Sequence, residues 1–262
     1  MQLYFIRHGQ STNNALWDST SGEKVRVEDP ELSEIGKKQA QHLAEYVKRK
    51  DNGYTKDGPD IKNLNGFHFS HLYTSLMVRS VATGTALSKA IDLPLVAWPD
   101  LHEGGGIYLN DKEKGELIGL PGKNRSYFET TYPGLELPES LNNEGWWNRP
   151  YETRPQRRER AQRVYVELLE RHAGTDDRVA VISHGGFYNH LLATILELPD
   201  KEANPSQVSV EMLNDENVIL NSQKEVWFSM NNTAITRIDF YPDGISLTYQ
   251  NHTDHLPAEL IT

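Results

Sequence analysis

One stretch near the start of this sequence crowds an imidazole, a guanidinium and several neutral donors together: Arg7-His8-Gly9-Gln10-Ser11-Thr12-Asn13-Asn14. A histidine whose one ring nitrogen donates to a carbonyl keeps the other as an unprotonated nucleophile. Arg7 offers a planar fork suited to phosphoryl oxygens. Ser11, Thr12 and Asn14 add neutral donors, and Gly9 has no side chain to block a phosphate. Taken alone, an Arg-His pair is better read as a structural histidine beside a surface arginine. A second stretch changes the weighing, because Ser183-His184-Gly185-Gly186 repeats the arrangement. A helix starting at Gly185 would present free N–H groups and partial positive charge to an anion. The plainer reading of the two glycines is a tight turn.

Both junctions need strands to hold them. Gln2 to Ile6 reads as a short buried strand, and Arg178 to Ser183, with Val179-Ala180-Val181-Ile182, as another. Each histidine then lies just past a strand's carboxyl end, where ligands bind in open α/β sheets. Phe67–Tyr73 and Leu93–Ala97 read as further strands. Helices are expected over about Glu34–Lys50, with Ser33 as N-cap and Ile35, Ala40, Leu43, Ala44 and Val47 as the buried stripe. Others are expected over Ser75–Ala90, around Ala161, Val164, Tyr165, Leu168 and Leu169 up to Gly174, and over Phe187–Leu198. Val226–Met230, Ile235–Tyr241 and Ile245–Tyr249 read as closing strands, the last two joined at Pro242-Asp243-Gly244. This alternation predicts an α/β fold: a mainly parallel central sheet with helices on both faces. Asp51 to Gly66 reads as a surface loop, so a single domain over 1–262 is expected.

Composition narrows the chemistry. The 262 residues hold 27 Lys and Arg against 37 Asp and Glu, a formal charge of −10. That balance repels nucleic acid and anionic membranes, so any phosphate site must be a local basic pocket. No cysteine is present, which removes thiol nucleophiles, disulfides and cysteine-ligated zinc. No apolar run approaches the roughly 20 residues that cross a bilayer. With no basic, cleavable segment before the first strand, a cytoplasmic location is expected. The spacings His68-x-x-His71 and His252-x-x-His255 are read as incidental, because no carboxylate pattern converges on either pair.

The ordered set of motifs resembles the histidine phosphatase superfamily, the phosphoglycerate mutase-like group, on its phosphatase branch. The resemblance rests on Tyr4-Phe5-Ile6-Arg7-His8-Gly9, Asp29-Pro30-Glu31-Leu32-Ser33-Glu34-Ile35-Gly36 with Gln39-Ala40, and Tyr73-Thr74-Ser75 with Arg79-Ser80. It continues through Leu101-His102-Glu103, Ile182-Ser183-His184-Gly185-Gly186, Asn231-Asn232-Thr233-Ala234-Ile235-Thr236 and His255-Leu256. It implies that His8 is the histidine that takes the phosphoryl group and that Arg7, Arg79 and His184 surround the phosphoryl oxygens. It further implies Asn14 as a phosphate contact and Glu103 as the acid/base carboxylate. Glu103 precedes Gly104-Gly105-Gly106, so the residues alone leave it as a simple loop cap. Two arginines and a second histidine supply positive charge, so no metal and no cofactor are expected.

Within the family, the loops separate phosphatases from mutases. Ala15 to Pro30 lacks the Thr-Gly-Trp stretch of the mutases, and Gly104-Gly105-Gly106-Ile107-Tyr108 replaces their Arg-His-Tyr-Gly. A phosphatase is therefore expected, acting on small metabolites such as sugar phosphates or phosphoglycerate derivatives, with a protein phosphotyrosine left open. A mutase and a non-catalytic phospholigand binder are the alternatives. Homo-oligomers are compatible with the sequence. The segment of about 104–155 is rich in aromatic and basic residues, including Tyr108, Lys123, Tyr127, Tyr132, Trp146, Trp147 and Arg149. It reads as an inserted cap over the site, or as a small satellite core in which Trp146 and Trp147 pack. A second insertion, about 199–225, has no functional reading.

Overall fold

Period-two alternation along the strands builds two cores back to back. In a computed structural model, residues 1–20, 27–49, 53, 60–111, 113–198 and 226–262 are described. Strands β1 (Gln2–Arg7) and β7 (Arg178–Ser183) pair in parallel, with Leu3 beside Val179 and Ile6 beside Ile182. Side chains alternate across a sheet. Leu3, Phe5, Val179 and Val181 therefore pack on one face with Ala161, Val164, Leu168, Phe187 and Leu191. Tyr4, Ile6, Ala180 and Ile182 pack on the other with Leu43, Val47, Val81 and Leu87.

The main sheet has seven strands in the order β6-β3-β2-β7-β1-β8-β9. Five run parallel: β6 (Leu135–Glu136), β3 (Leu95–Ala97), β2 (His71–Thr74), β7 and β1. An antiparallel hairpin, β8 (Ile235–Tyr241) and β9 (Gly244–His252), closes the edge. Helices α5 (Arg154–His172) and α6 (Gly185–Ile195) cover the first face. Helices α2 (Glu34–Val47) and α3 (Val78–Ile91) cover the second. The expected fold class is the observed one.

Local differences have local causes. Ser33 caps α2 through its hydroxyl on the Gly36 N–H at 3.0 Å, as expected, but Ile35 faces outward and Gly36 and Gln39 share the buried stripe instead. A helix α1 (Thr12–Thr20) follows the first histidine, where none was expected. Val226–Met230 forms no strand; the Asn189 side chain on α6 takes both the N–H and the carbonyl of Phe228, at 2.7 and 3.1 Å. The expected cap does not stand wholly apart. It holds a separate hairpin, β4 (Tyr108–Asp111) and β5 (Glu116–Gly119), and helix α4 (Arg125–Thr131), but its β6 joins the main sheet beside β3. The 199–225 insertion lies outside the described residues, as does much of the Asp51–Gly66 loop.

Candidate active site

The carboxyl ends of β1 and β7 bring the two histidines together, with ring centroids 5.0 Å apart. Each is pinned by backbone. The His8 N–H donates to the Ser183 carbonyl at 3.0 Å, and the His8 carbonyl accepts from the Asn232 side chain, also at 3.0 Å. On the ring, Nε2 accepts from the Arg79 Nε–H at 3.1 Å, and Nδ1 lies 2.6 Å from the Gly9 carbonyl. An arginine N–H can only donate, so Nε2 carries the lone pair and Nδ1 the proton. Burial pushes His8 well below the ordinary histidine range, and the Arg79 and Arg7 charges push it the same way. The result is a neutral imidazole with its nucleophilic nitrogen turned toward a guanidinium.

His184 is fixed by a residue that the sequence motifs contained but did not assign. Ser75 Oγ lies 2.8 Å from His184 Nε2 and accepts the Met77 N–H at 3.3 Å. That leaves the Ser75 hydroxyl proton available to Nε2, and with it donated there the ring proton sits on Nδ1. That Nδ1 is buried and makes no hydrogen bond. Arg79 Nη1 is in the same condition, 3.7 Å from Asp29 Oδ1. Buried donors without partners are costly, and two of them around one nucleophile mark a place shaped for an acceptor-rich ligand. Burial also lowers His184, with Arg79 and His8 adding to the effect.

The remaining expected residues divide. Arg7 lies across Gly185, where an added Cβ would sit 3.6 Å from its Nε, and it donates to the Met230 carbonyl. Glu103 is not merely a loop cap beside its glycines. Its Oε1 accepts from Gly104 and Phe187 N–H groups at 2.8 and 2.9 Å, and its Oε2 from Gly186 at 3.1 Å. Glu103 thus occupies the Gly186 and Phe187 donors of the α6 N-terminus, so of that terminus the expected phosphate contact rests on Gly185. Asn14 turns to Ser11, accepting from its N–H and hydroxyl at 3.1 and 2.9 Å. Gly9 is needed for a different reason than expected: a Cβ there would come within 2.6 Å of the Gly36 carbonyl oxygen, so it permits close packing on α2.

Several supports had been given no role from the sequence. Asp29 reaches the site from the loop before α2. It accepts the Val78 N–H at 3.1 Å, and burial raises it to about 6 despite the opposing Arg79 charge. Arg160 on α5 forms a buried bidentate pair with Glu152 at 2.6 and 2.9 Å and donates to the Asp100 and His102 carbonyls. Ser183 Oγ holds the Leu101 carbonyl at 2.6 Å. Together these fasten the loop that carries Glu103. Of the two tryptophans, Trp147 is buried against Met77 and Ile107 with Arg149 stacked 4.0 Å over it, which is the satellite-core alternative. The His252/His255 pair packs on Tyr46, and His255 is lowered to about 3 by burial. His68 and His71 do not converge, since His68 Nε2 turns to the Asn65 carbonyl.

A family model described as the histidine phosphatase superfamily (branch 1) matches residues 3–55 and 61–217. The chain belongs to this superfamily. No functionally curated protein matches it at a significant level. Among solved structures, it is similar to mycobacterial glucosyl-3-phosphoglycerate phosphatase at 17% identity, covering 96% of this chain and 99% of that one, with a TM-score of 0.52. It is likewise similar to phosphoserine phosphatase of Entamoeba histolytica, in complex with 3-phosphoglyceric acid, at 17% identity, 98% and 99% coverage and a TM-score of 0.52. A mycobacterial hydrolase gives 18% identity, 99% and 94% coverage and a TM-score of 0.54. At such identities these likenesses speak for the superfamily's fold. Among the described residues no helix is long and apolar enough to cross a membrane.

Proposed function

We propose that this superfamily member is a phosphatase that hydrolyses phosphomonoesters of small metabolites, sugar phosphates among them, through a phosphohistidine on His8. The observation that carries this reading is the lone pair on His8 Nε2, held beside two buried nitrogens that make no hydrogen bond among the described residues, Arg79 Nη1 and His184 Nδ1. A phosphoryl group between them receives the nucleophile on one side and hydrogen bonds to its spreading charge on the other. On this reading the Arg79 cation and the neutral His184 N–H supply the charge stabilisation that a metal would otherwise supply.

In the first step His8 Nε2 attacks phosphorus and the ester P–O bond breaks. Glu103 is the group assigned to give the departing alkoxide its proton; its Oε2 accepts only one N–H and keeps a lone pair on that side. In the second step water attacks phosphorus, the P–N bond breaks, and Glu103 recovers a proton from the water. His8 returns to its neutral form with Nδ1–H still on the Gly9 carbonyl. The phosphatase and phosphoserine phosphatase names of the similar structures agree with this reaction class.

The test is hydrolysis of 4-nitrophenyl phosphate in EDTA by the wild type and His8→Ala, with acid quenching to trap phosphate on protein. Acid-labile label on the wild type and its loss with activity in the variant are expected. Turnover that survives His8→Ala, or that disappears in EDTA, overturns the reading.

A further inference from the structure

A second histidine cluster lies at the other end of the same parallel strands. His71 opens β2, Asp177 directly precedes β7, and His172 closes α5. β2 and β7 are paired neighbours, with His71 beside Val179. One donor atom from each of His71, His172 and Asp177 lies within 4.8 Å of the others. His172 Nδ1 is 2.8 Å from Asp177 Oδ2, and His71 Nδ1 is 3.7 Å from Asp177 Oδ1.

We propose that His71, His172 and Asp177 form a three-ligand site for a divalent transition-metal ion, zinc foremost, separate from the phosphate site. A tetrahedral zinc with nitrogen and oxygen ligands at about 2.0–2.2 Å sets neighbouring ligands about 3.3 Å apart, so the cluster, now within 4.8 Å and meeting different Asp177 oxygens, closes by small side-chain rotations on binding. Two imidazoles with one carboxylate are a zinc-type donor set, and the absence of thiolates leaves a fourth position for water or a small anion. The ion takes the place of the proton now shared by His172 and Asp177. His172 Nε2 is 3.2 Å from the Tyr73 hydroxyl, an outer partner of the kind that fixes a ligating imidazole's orientation. The donors sit on strand and helix ends tied by sheet pairing, so little ordering remains to be done on binding. His71 and Asp177 side chains are 40% and 25% exposed, which gives the ion a way in. Ser70 Oγ, 2.9 Å from His71 Nδ1 and 3.3 Å from Asp177 Oδ1, must yield the nitrogen to the metal.

The experiment uses the untagged chain, stripped with EDTA and desalted, and titrated with zinc chloride alone in a calorimeter. His71→Ala and Asp177→Asn are run beside it, with circular dichroism to establish that both fold. One zinc per chain in the wild type is expected, weakened by roughly tenfold or more in each variant. Zinc should also raise the melting temperature of the wild type and leave that of the variants unchanged. The proposal falls if the wild type shows no binding tighter than about 100 µM. It falls equally if both folded variants bind zinc as the wild type does. Neither result touches the phosphatase reading, because none of the three residues belongs to the His8 site.

Discussion

The parallel strands carry histidines at both ends, and the two clusters have opposite electrostatics. At the carboxyl ends, His8 and His184 are fully enclosed and kept neutral by burial and by arginines, and His184 Nδ1 makes no hydrogen bond among the described residues. At the amino ends, His71 and His172 meet a carboxylate instead, with Ser70 and Tyr73 hydroxyls completing the hydrogen bonds. On the proposed readings the first arrangement takes an anion and the second a cation. Identical side chains on the same sheet thus acquire different chemistry from their neighbours, not from their own identity.

The sharpest way to break this contrast is to remove the cation that faces His8. Arg79→Ala is expected to lower kcat for an aryl phosphate by on the order of a thousandfold. His71→Ala should leave that rate unchanged. Parallel rate measurements on the two variants decide the matter: comparable losses would mean that the two ends are one coupled system and that the contrast is false.

Glu103→Gln comes next. Glutamine keeps one acceptor oxygen for the α6 N-terminus but cannot deliver a proton as an acid does. Loss of general acid catalysis costs on the order of a hundredfold with an alkyl phosphate. It should cost much less with 4-nitrophenyl phosphate, whose leaving group needs no proton. An equal loss for both substrates would reassign Glu103 to holding the helix alone.

Acid should loosen the carboxyl-end cluster through its buried imidazoles. His8, His102 and His184 are all held well below the ordinary histidine value, first of all by burial. Below about pH 6.5 the unfolded chain gains protons at these positions that the native chain does not, so stability falls as pH falls, by about 1.4 kcal/mol per pH unit for each. Asp29 opposes this: raised to about 6, it holds a proton in the native state that the unfolded chain releases, so its term favours folding as pH drops through 6. Three imidazoles outweigh one carboxyl. Chemical denaturation at pH 7, 6 and 5 should therefore show declining stability, and a flat profile would contradict neutral burial.

The strand–histidine–glycine junctions were legible because the chemistry sits within one local stretch at each strand end. Leu3-Tyr4-Phe5-Ile6 and Val179-Ala180-Val181-Ile182 announce buried strands, and the residue after such a strand has few places to go. What stayed hidden depends on separations that no spacing encodes. Asp177 and His71 are brought together only by the β2–β7 pairing, and Arg160 reaches the Glu103 loop only because α5 packs beside it. The neighbours of Gly9 and of the α6 N-terminus stayed hidden for a related reason: Gly36 and Glu103 come from remote segments. β6, two residues long, carries too little pattern to be seen before its pairing with β3 is known.

The smallest effect tests the tautomer logic of the carboxyl-end cluster. The Ser75 hydroxyl lies 2.8 Å from His184 Nε2, and by donating there it would keep the ring proton on Nδ1. In Ser75→Ala that preference is lost, and a buried Nε2 is left without its partner. One neutral hydrogen bond contributes about 1 kcal/mol, so kcat should fall roughly fivefold. On the proposed mechanism His184 acts on the phosphoryl group and not on the alcohol, so the drop should be the same for alkyl and aryl phosphates, unlike that of Glu103→Gln. Ser75→Thr, which keeps a hydroxyl in place, should restore most of the rate. If Ser75→Ala instead depended on the leaving group, His184 would be sharing the acid's task, and the division of labour between His184 and Glu103 would have to be redrawn.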